Sequence, residues 1–168
     1  RVLAALHQVD YNAIGLADYG KPGHHFSRQI DRWRKQYRAS ETKRIEAFEN
    51  LMLLLPKNIP SGDETSIVHG DYRLDNIIFH PTEPRVLAVL DWELSTLGHP
   101  LADFSYHCMT WHIPKGVFRG PAGAKLAALG IPSEAEHVAS HSNRPAPAPI
   151  YPRQCVLSLA YTTFAPGP

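Results

Sequence analysis

Apolar residues recur at helical spacing in the first third of the chain. Leu3, Leu6 and Val9 share one face of a predicted helix. The pattern between residues 28 and 55 predicts two amphipathic helices that are separated near Ala39. The apolar positions of this pair are Ile30, Trp33, Tyr37, Ile45, Phe48, Leu51, Met52 and Leu55. The first third of the chain is therefore predicted to be helical.

Short strand-like runs occupy the middle of the chain. The segments "SIVH", "NIIF" and "VLAVLD" predict three strands at residues 66–69, 76–79 and 86–91. Prolines in the "HPTEPR" loop exclude a tight two-residue hairpin, so the last two strands should pair antiparallel through a longer loop. Beyond them, "LSTLGHPLADFSYHCMTW" should be a loop that enters a helix, and "GPAGAKLAALGI" a short helix that ends at Gly130.

The composition changes near residue 140. No acidic residue occurs from His137 to Pro168, and six of the fifteen prolines lie between residues 145 and 168. We expect residues 141–168 to be a Pro-rich tail, poorly ordered or extended, and residues 1–140 to form the single domain.

The bulk composition excludes several classes of function. The 168 residues carry 17 basic and 16 acidic side chains, so no global field would recruit nucleic acid or an anionic membrane. The longest apolar runs, such as "LMLLLP", are far shorter than the roughly 20 residues that span a bilayer. No signal-peptide pattern opens the chain. We expect a cytoplasmic protein in which Cys108 and Cys155 are reduced thiols.

The link between the first two predicted strands, "HGDYRLDN" at residues 69–76, carries more polar chemistry than a turn requires. Asp71 is followed five residues later by Asn76 and twenty residues later by Asp91. Phosphoryl transfer needs one carboxylate to orient and deprotonate a hydroxyl, and further oxygen ligands to hold Mg²⁺ on the nucleotide phosphates. This set of side chains favours that chemistry.

The segments "HGDYRLDN" and "VLAVLDWE" resemble the catalytic loop and metal-binding segment of the aminoglycoside phosphotransferase (kinase-like) family. The segments "LADYGKPGHHFSRQIDRWRKQY" and "LDWELSTLGHPLADFSY" are similar to the subgroup found beside or fused to acyl-CoA dehydrogenases. The resemblance covers about residues 1 to 138. It implies an α+β fold, namely a protein-kinase-like C-terminal lobe that is mainly helical, with a small antiparallel β-ribbon carrying the catalytic loop.

The resemblance also implies roles for individual residues. Asp71 would be the catalytic base, and Asn76 and Asp91 would bind the nucleotide through Mg²⁺. Glu93 is a candidate ligand for a second metal or a water. Arg73 stands where protein kinases hold a lysine near the transferred phosphate, so it is a candidate for neutralising charge there. The alternative for Arg73 is an exposed arginine paired with a loop carboxylate.

Two further residues are expected to hold the loop in place. His69 is expected to organise it, and Asp103 to fasten it through backbone hydrogen bonds. The complete enzyme of this family also has an N-terminal lobe with a phosphate-covering loop and a strand lysine. No segment before Arg1 supplies them, so we expect this chain to lack that lobe.

The expected partners are ATP with Mg²⁺ and a small-molecule hydroxyl acceptor. The subgroup favours a hydroxyacyl acceptor, for example as its CoA ester. Residues 28–49 carry seven basic and four acidic side chains, which would suit an anionic acceptor or form a solvated face. The sequence leaves the oligomeric state open.

Other functions stay open at this stage. A truncated kinase-like module could act in binding alone. The "HGD" triplet also occurs in two-metal phosphoesterases, but the other ligand motifs of those sites are not evident. The pairs His24–His25 and His107–His112 lack the spacing that would place both rings on one metal.

Overall fold

The structure is a computed structural model that describes residues 1–113 and 123–141. Within these ranges, the helices are α1 (Val2–His7), α2 (His25–Ser40), α3 (Glu46–Leu54), α4 (Pro100–Cys108) and α5 (Glu134–His141). The strands are β1 (Ser66–Val68), β2 (Ile77–Phe79), β3 (Val86–Val89) and β4 (Thr96–Gly98). Short 3₁₀ helices occur at Leu55–Asn58, Leu74–Asn76, Met109–His112 and Leu126–Leu129. The predicted α+β class is confirmed, whereas the predicted tail lies outside the described residues beyond the end of α5.

The two predicted amphipathic helices are α2 and α3. Helix α2 ends at Ser40, next to the predicted break. The rings of Tyr37 and Phe48 stack with centroids 4.8 Å apart, and Arg38 reaches Glu49 of α3 at 2.6 Å. Nearer the start of α2, Phe26 and Ile30 are buried in one cluster with Leu55. Stacking and apolar burial together hold the helical pair.

The strands form two separate two-stranded sheets. The predicted ribbon of β2 and β3 is antiparallel, with Ile77 opposite Val89. Strand β1 pairs antiparallel with β4, with Ser66 opposite Gly98. The expectation that "LSTLG" is a loop is therefore wrong. The β4 segment is only three residues long, and it is a strand because it pairs with a segment about 30 residues away in the chain.

The main core lies under the end of β1. Leu3 of α1, Phe104 and Cys108 of α4, and Tyr72 form one buried cluster. Cys108 has no exposed surface, whereas Cys155 lies outside the described residues. Because Tyr72 belongs to both the core and the "HGDYRLDN" link, the link is attached directly to α4.

Helix α2 is the longest helix in the described part of the chain, at 16 residues. No helix in those ranges has the length and apolar character needed to cross a membrane. The short 3₁₀ helix at Leu126–Leu129 ends at Gly130, as predicted, and Gly130 has a φ of +69°.

Candidate active site

The link between β1 and β2 begins with a backbone turn that only glycine accommodates. Gly70 has a φ of +86°, and a Cβ atom there would lie 2.6 Å from the carbonyl oxygen of Leu94. L-residues rarely adopt this φ, and the contact is too short for a carbon atom. The "HGD" triplet therefore needs Gly70 to pass beneath the segment that follows β3.

Asp103 fastens this turn from the first turn of α4. Its Oδ2 atom accepts a hydrogen bond from the backbone nitrogen of His69 at 2.6 Å, and its Oδ1 atom accepts one from Gly70 at 2.7 Å. His7 Nε2 lies 3.3 Å from Oδ2. The carboxylate is 2% exposed, so its charge is balanced mainly by these buried donors. The predicted fastening role of Asp103 is confirmed.

His69 joins the link to the strand that follows it. The buried ring lies between two backbone groups: Nε2 donates to the carbonyl oxygen of Leu90 at 2.8 Å, and Nδ1 accepts from the backbone nitrogen of Asp71 at 3.2 Å. These contacts require the proton on Nε2. The predicted organising role of His69 is confirmed.

Asp71 and Asn76 are in direct contact. The Asn76 amide nitrogen donates to the Asp71 carboxylate oxygen Oδ2 and to the Asp71 backbone oxygen, both at 2.9 Å. Asn76 is buried, and within the described residues its Oδ1 atom receives no hydrogen bond. The contact fixes the direction of the amide, so that Oδ1 remains available as an acceptor or a ligand.

Arg73 forms an ion pair with the candidate base. Its Nε atom lies 3.2 Å from Asp71 Oδ2 and 4.0 Å from Asp75 Oδ2, without the alignment of a hydrogen bond to either. The Arg73 side chain is 42% exposed. The sequence analysis gave two alternatives for Arg73, and this contact is the second of them, an exposed arginine paired with a loop carboxylate. A role at the transferred phosphate stays a prediction.

Asp91 follows directly after Leu90, a residue whose backbone makes two hydrogen bonds. Leu90 donates its backbone nitrogen to the Asn76 carbonyl oxygen at 2.8 Å and accepts from His69. Asp91 itself is exposed and has a φ of +64°, an uncommon conformation for a non-glycine residue. The same short network therefore fixes the backbone beside all three predicted residues, Asp71, Asn76 and Asp91.

Glu93 lies in an exposed turn two residues beyond Asp91. The turn is held by Trp92, whose indole nitrogen donates to the Val89 carbonyl oxygen at 2.9 Å, and by Ser95, whose backbone nitrogen donates to the Trp92 oxygen at 3.0 Å. Glu93 makes no ion pair within the described residues. A metal-binding role for Glu93 stays a prediction.

The donor set fits Mg²⁺ better than a transition metal. The described residues contain no group of three His, Cys, Asp or Glu side chains that could enclose a metal ion. Mg²⁺ instead takes one or two protein oxygens and completes its octahedron with water and substrate phosphates. Asn76 Oδ1 and the Asp91 carboxylate are hard oxygen donors of this kind.

A cavity of about 260 Å³ lies beside Asp71. Helix α2 contributes much of its wall, and the rest comes from the end of β1, the link, β4 with the turn before it, and α4. The lining residues are His25, Phe26, Gln29, Arg32, Trp33, Val68, Gly70, Asp71, Leu94, Thr96, Ala102, Asp103 and Tyr106. Asn76, Asp91 and Glu93 do not line it. Asp71 therefore lines the cavity and also contacts Asn76, a candidate metal ligand that lies outside the lining.

The charges around this cavity are few. Arg32 is its one arginine or lysine, and its carboxylates are Asp71 and the backbone-bound Asp103. Burial, together with the nearby Arg28, lowers the pKa of His25 from 6.5 to about 4, so that the imidazole is neutral at pH 7. The cavity is thus lined mainly by apolar and neutral groups.

The basic face of residues 28–49 is largely engaged elsewhere. Arg38 and Arg44 pair with Glu49, and Arg28 donates to the backbone carbonyl oxygens of Lys21 and Gly23. Lys35 does not line the cavity. Of the seven basic side chains, only Arg32 reaches it, so most of this face is solvated or internally paired.

Sequence reasoning missed Tyr106 and assigned Trp33 to packing. Both side chains line the cavity beside Asp71. Burial and the adjacent Asp71 carboxylate raise the pKa of Tyr106 to about 12, while the nearby Arg73 opposes that shift. One signal was available: Tyr106 lies three residues after Asp103, and residues at that spacing share a helix face.

The sequence pattern of the phosphotransferase enzyme family matches residues 1–140. Acyl-CoA dehydrogenase family member 10 of Mus musculus is 48% identical over 139 residues, which cover 82% of this chain and 13% of that protein. This chain is therefore similar to a small segment of a much longer protein. The predicted likeness to the acyl-CoA-dehydrogenase-associated subgroup is confirmed.

Solved structures show the same fold. A Ralstonia eutropha protein, provisionally assigned as an aminoglycoside phosphotransferase, is 60% identical with a TM-score of 0.88, over 97% of this chain and 50% of that chain. A macrolide 2′-phosphotransferase of type I gives a TM-score of 0.66 at 20% identity, over 97% of this chain and 49% of that one. This chain spans about half the length of both structures.

Proposed function

Because the chain belongs to the phosphotransferase enzyme family, we propose that it is the catalytic lobe of an ATP-dependent small-molecule kinase. The enzyme transfers the γ-phosphate to a hydroxyl group of its acceptor. One observation carries the proposal: the Asp71 carboxylate lies at the wall of a cavity while Asn76 and the Asp103-bound backbone fix its position.

In the proposed reaction, Asp71 accepts the proton of the acceptor hydroxyl as that oxygen attacks phosphorus. A positioned base of this kind contributes about 10²–10⁴-fold to the rate. Arg73, 3.2 Å from Asp71 and 42% exposed, would turn from the carboxylate toward the transferred phosphate and neutralise its charge.

The nucleotide would occupy the other side of Asp71. Asn76 Oδ1 and the Asp91 carboxylate would hold Mg²⁺, with Glu93 as a further candidate ligand. When bound, the ion supplies positive charge to the nucleotide phosphates. The hydrogen bond from the Asn76 amide nitrogen to Asp71 keeps the ligand oxygen and the base in a fixed relation.

The proposed acceptor is a hydroxyacyl compound, for example as its CoA ester. Support comes from the lining of the cavity, where Phe26, Trp33 and Leu94 suit an acyl chain and Arg32 suits an anionic group. A polycationic aminoglycoside would require several free carboxylates. The likeness to a segment of an acyl-CoA dehydrogenase family member agrees with an acyl acceptor.

We also propose that the nucleotide is held between this chain and a further lobe of the full-length protein. The half-length match to the solved structures supports this arrangement. We propose a cytoplasmic location, where a buried cysteine such as Cys108 stays reduced. A non-catalytic binding module is the second candidate, because Arg73 pairs with the carboxylate that catalysis requires to be accessible.

An acceptor screen tests the proposal. The full-length protein is incubated with Mg·ATP and with hydroxyacyl-CoA esters, free hydroxy acids, amino alcohols or aminoglycosides, and ADP release is recorded. Hydroxyacyl-CoA should give the highest kcat/KM. Asp71→Asn should abolish most of the turnover. The control substitution Asp31→Asn, at an exposed position of α2, should leave the turnover unchanged. Equal ADP release by the wild type and by Asp71→Asn would favour the non-catalytic module.

A further inference from the structure

Helix α4 directs two polar side chains at the candidate base. Asp103 and Tyr106 are three residues apart and share one face of the helix. Asp103 binds the backbone nitrogens of His69 and Gly70, the two residues that precede Asp71. Tyr106, one turn further along, lines the same cavity as Asp71, and the Asp71 carboxylate is near enough to raise the pKa of its phenol. The helix therefore fastens the backbone of this segment and places a phenol beside the Asp71 side chain.

We propose that Tyr106 is a positioning residue whose hydroxyl donates to the Asp71 carboxylate and keeps it directed at the acceptor cavity. This proposal rests on the proposed function, because it assigns Tyr106 a part in proton transfer through Asp71. It adds a residue that no sequence motif of the catalytic loop contains.

The other two partners of Asp71 are less suited to this task. Asn76 Nδ2 binds both the backbone and the side chain of Asp71, and it also sets the direction of its own oxygen. Arg73 is 42% exposed and is not aligned for a hydrogen bond. Tyr106 is half-buried on a helix that is anchored to the core through Phe104 and Cys108. Its hydroxyl is thus carried by an element that is fixed to the core.

The phenol remains a donor under ordinary assay conditions. Burial and the Asp71 carboxylate raise its pKa to about 12, so it is protonated throughout the neutral range. It neither accepts nor releases the proton of the acceptor. It acts through Asp71 by restricting the rotation of the carboxylate.

A double-mutant cycle in the full-length enzyme tests this role. Tyr106→Phe keeps the ring as part of the cavity wall and removes only the hydroxyl. Because a hydrogen bond to a charged group is lost, kcat should fall on the order of 10-fold, while KM for acceptor and for ATP stays within about 2-fold. In an Asp71→Asn background, the same change should have little further effect.

Tyr37→Phe is the matched control. The Tyr37 hydroxyl also takes part in one hydrogen bond, accepting from Ile45 at 3.3 Å, but it lies between α2 and α3. This variant should keep the wild-type kcat. An unchanged kcat in Tyr106→Phe would overturn the proposal, as would an equal loss in the wild-type and Asp71→Asn backgrounds.

A titration that does not depend on activity separates this proposal from the proposed function. Carbon-13 labelling of the tyrosine ring allows the phenol of Tyr106 to be followed by NMR, with its signal assigned through Tyr106→Phe. Between pH 8 and pH 11 the wild-type signal should stay nearly constant, whereas Asp71→Asn should begin to ionise. Identical curves would overturn the Tyr106–Asp71 contact. If the two titration curves differ but the protein phosphorylates no acceptor, the Tyr106–Asp71 contact would be supported and the proposed kinase function would be refuted.

Discussion

Asp71, Asn76 and Asp91 all offer side-chain oxygens, but their surroundings fit them for different tasks. Asp71 borders the cavity and is surrounded by donors, whereas Asp91 is exposed at the end of a strand. Asn76 lies between them in the network, with its nitrogen on Asp71 and its backbone oxygen on Leu90. Substitutions at the two carboxylates should therefore affect different kinetic parameters.

Asp71→Asn in the full-length protein should lower kcat by about 10²–10⁴-fold, because a positioned base is lost. Nucleotide affinity, measured by calorimetry with Mg·ATP, should change little. Asp91→Ala should instead weaken Mg·ATP binding, because a metal ligand is removed. Loss of ATP binding in Asp71→Asn, or normal Mg·ATP binding in Asp91→Ala, would reverse these assignments.

Gly70→Ala should destabilise the fold more than an alanine at an open glycine with a similar backbone. Both Gly70 and Gly15 have positive φ, +86° and +78°, but only Gly70 has a close neighbour, the Leu94 carbonyl oxygen. Urea unfolding of Gly15→Ala measures the conformational penalty alone, roughly 1 kcal/mol. The additional loss of stability in Gly70→Ala measures the clash with Leu94. Equal midpoints for the two variants would show that the contact with Leu94 carries no energy.

At the scale of elements, the cavity is built largely by helices that the sequence places far from the "HGDYRLDN" link. Helix α2 presents Phe26, Arg32 and Trp33 to it, and α4 presents Tyr106. The helix pair, the β2–β3 ribbon and the polar link between β1 and β2 were predictable because each follows from a local pattern. Strand β4 and Tyr106 were not, because each depends on a partner distant in sequence.

The contacts made by the basic side chains of α2 also could not be predicted from the sequence alone. Sequence spacing makes Arg32 and Lys35 neighbours on one helix, yet only Arg32 lines the cavity. Composition gave the excess of positive charge over residues 28–49. It did not reveal that Arg38 and Arg44 pair with Glu49 of α3.

Arg32→Ala should raise KM for an anionic acceptor several-fold and leave kcat nearly unchanged, because the guanidinium binds the acceptor in the ground state and the transition state alike. Lys35→Ala, three residues along the same helix, should leave KM unchanged. Steady-state kinetics with the preferred acceptor check both. A larger effect from Lys35→Ala would place the anionic group outside the cavity.

At the scale of the whole molecule, buried imidazoles make stability depend on pH. Burial lowers the pKa of both His25 and His107 from 6.5 to about 4. The unfolded chain then binds protons more readily than the folded one, so stability is fully present above pH 6.5 and falls as the pH drops toward 4. Each residue contributes up to about 3 kcal/mol to that loss.

Urea unfolding at pH 7 and at pH 4.5 measures the effect. The wild-type chain should lose stability at the lower pH, and His107→Gln should lose less, because one titrating group has been removed. The comparison is made within each variant, so the cost of the substitution itself cancels. An equal loss in the two proteins would mean that His107 remains uncharged or is accessible in the folded state.

In the proposed function, Asp71 enables transfer of the ATP γ-phosphate to an acceptor hydroxyl. The most direct measurement uses full-length protein, ATP labelled with oxygen-18 on the γ-phosphate, and a hydroxyacyl-CoA, with mass spectrometry of the products. Phosphotransfer predicts a phosphorylated acceptor that carries the labelled oxygens, formed by the wild type and far more slowly by Asp71→Asn. Label found only in inorganic phosphate, or only in unreacted ATP, would contradict it.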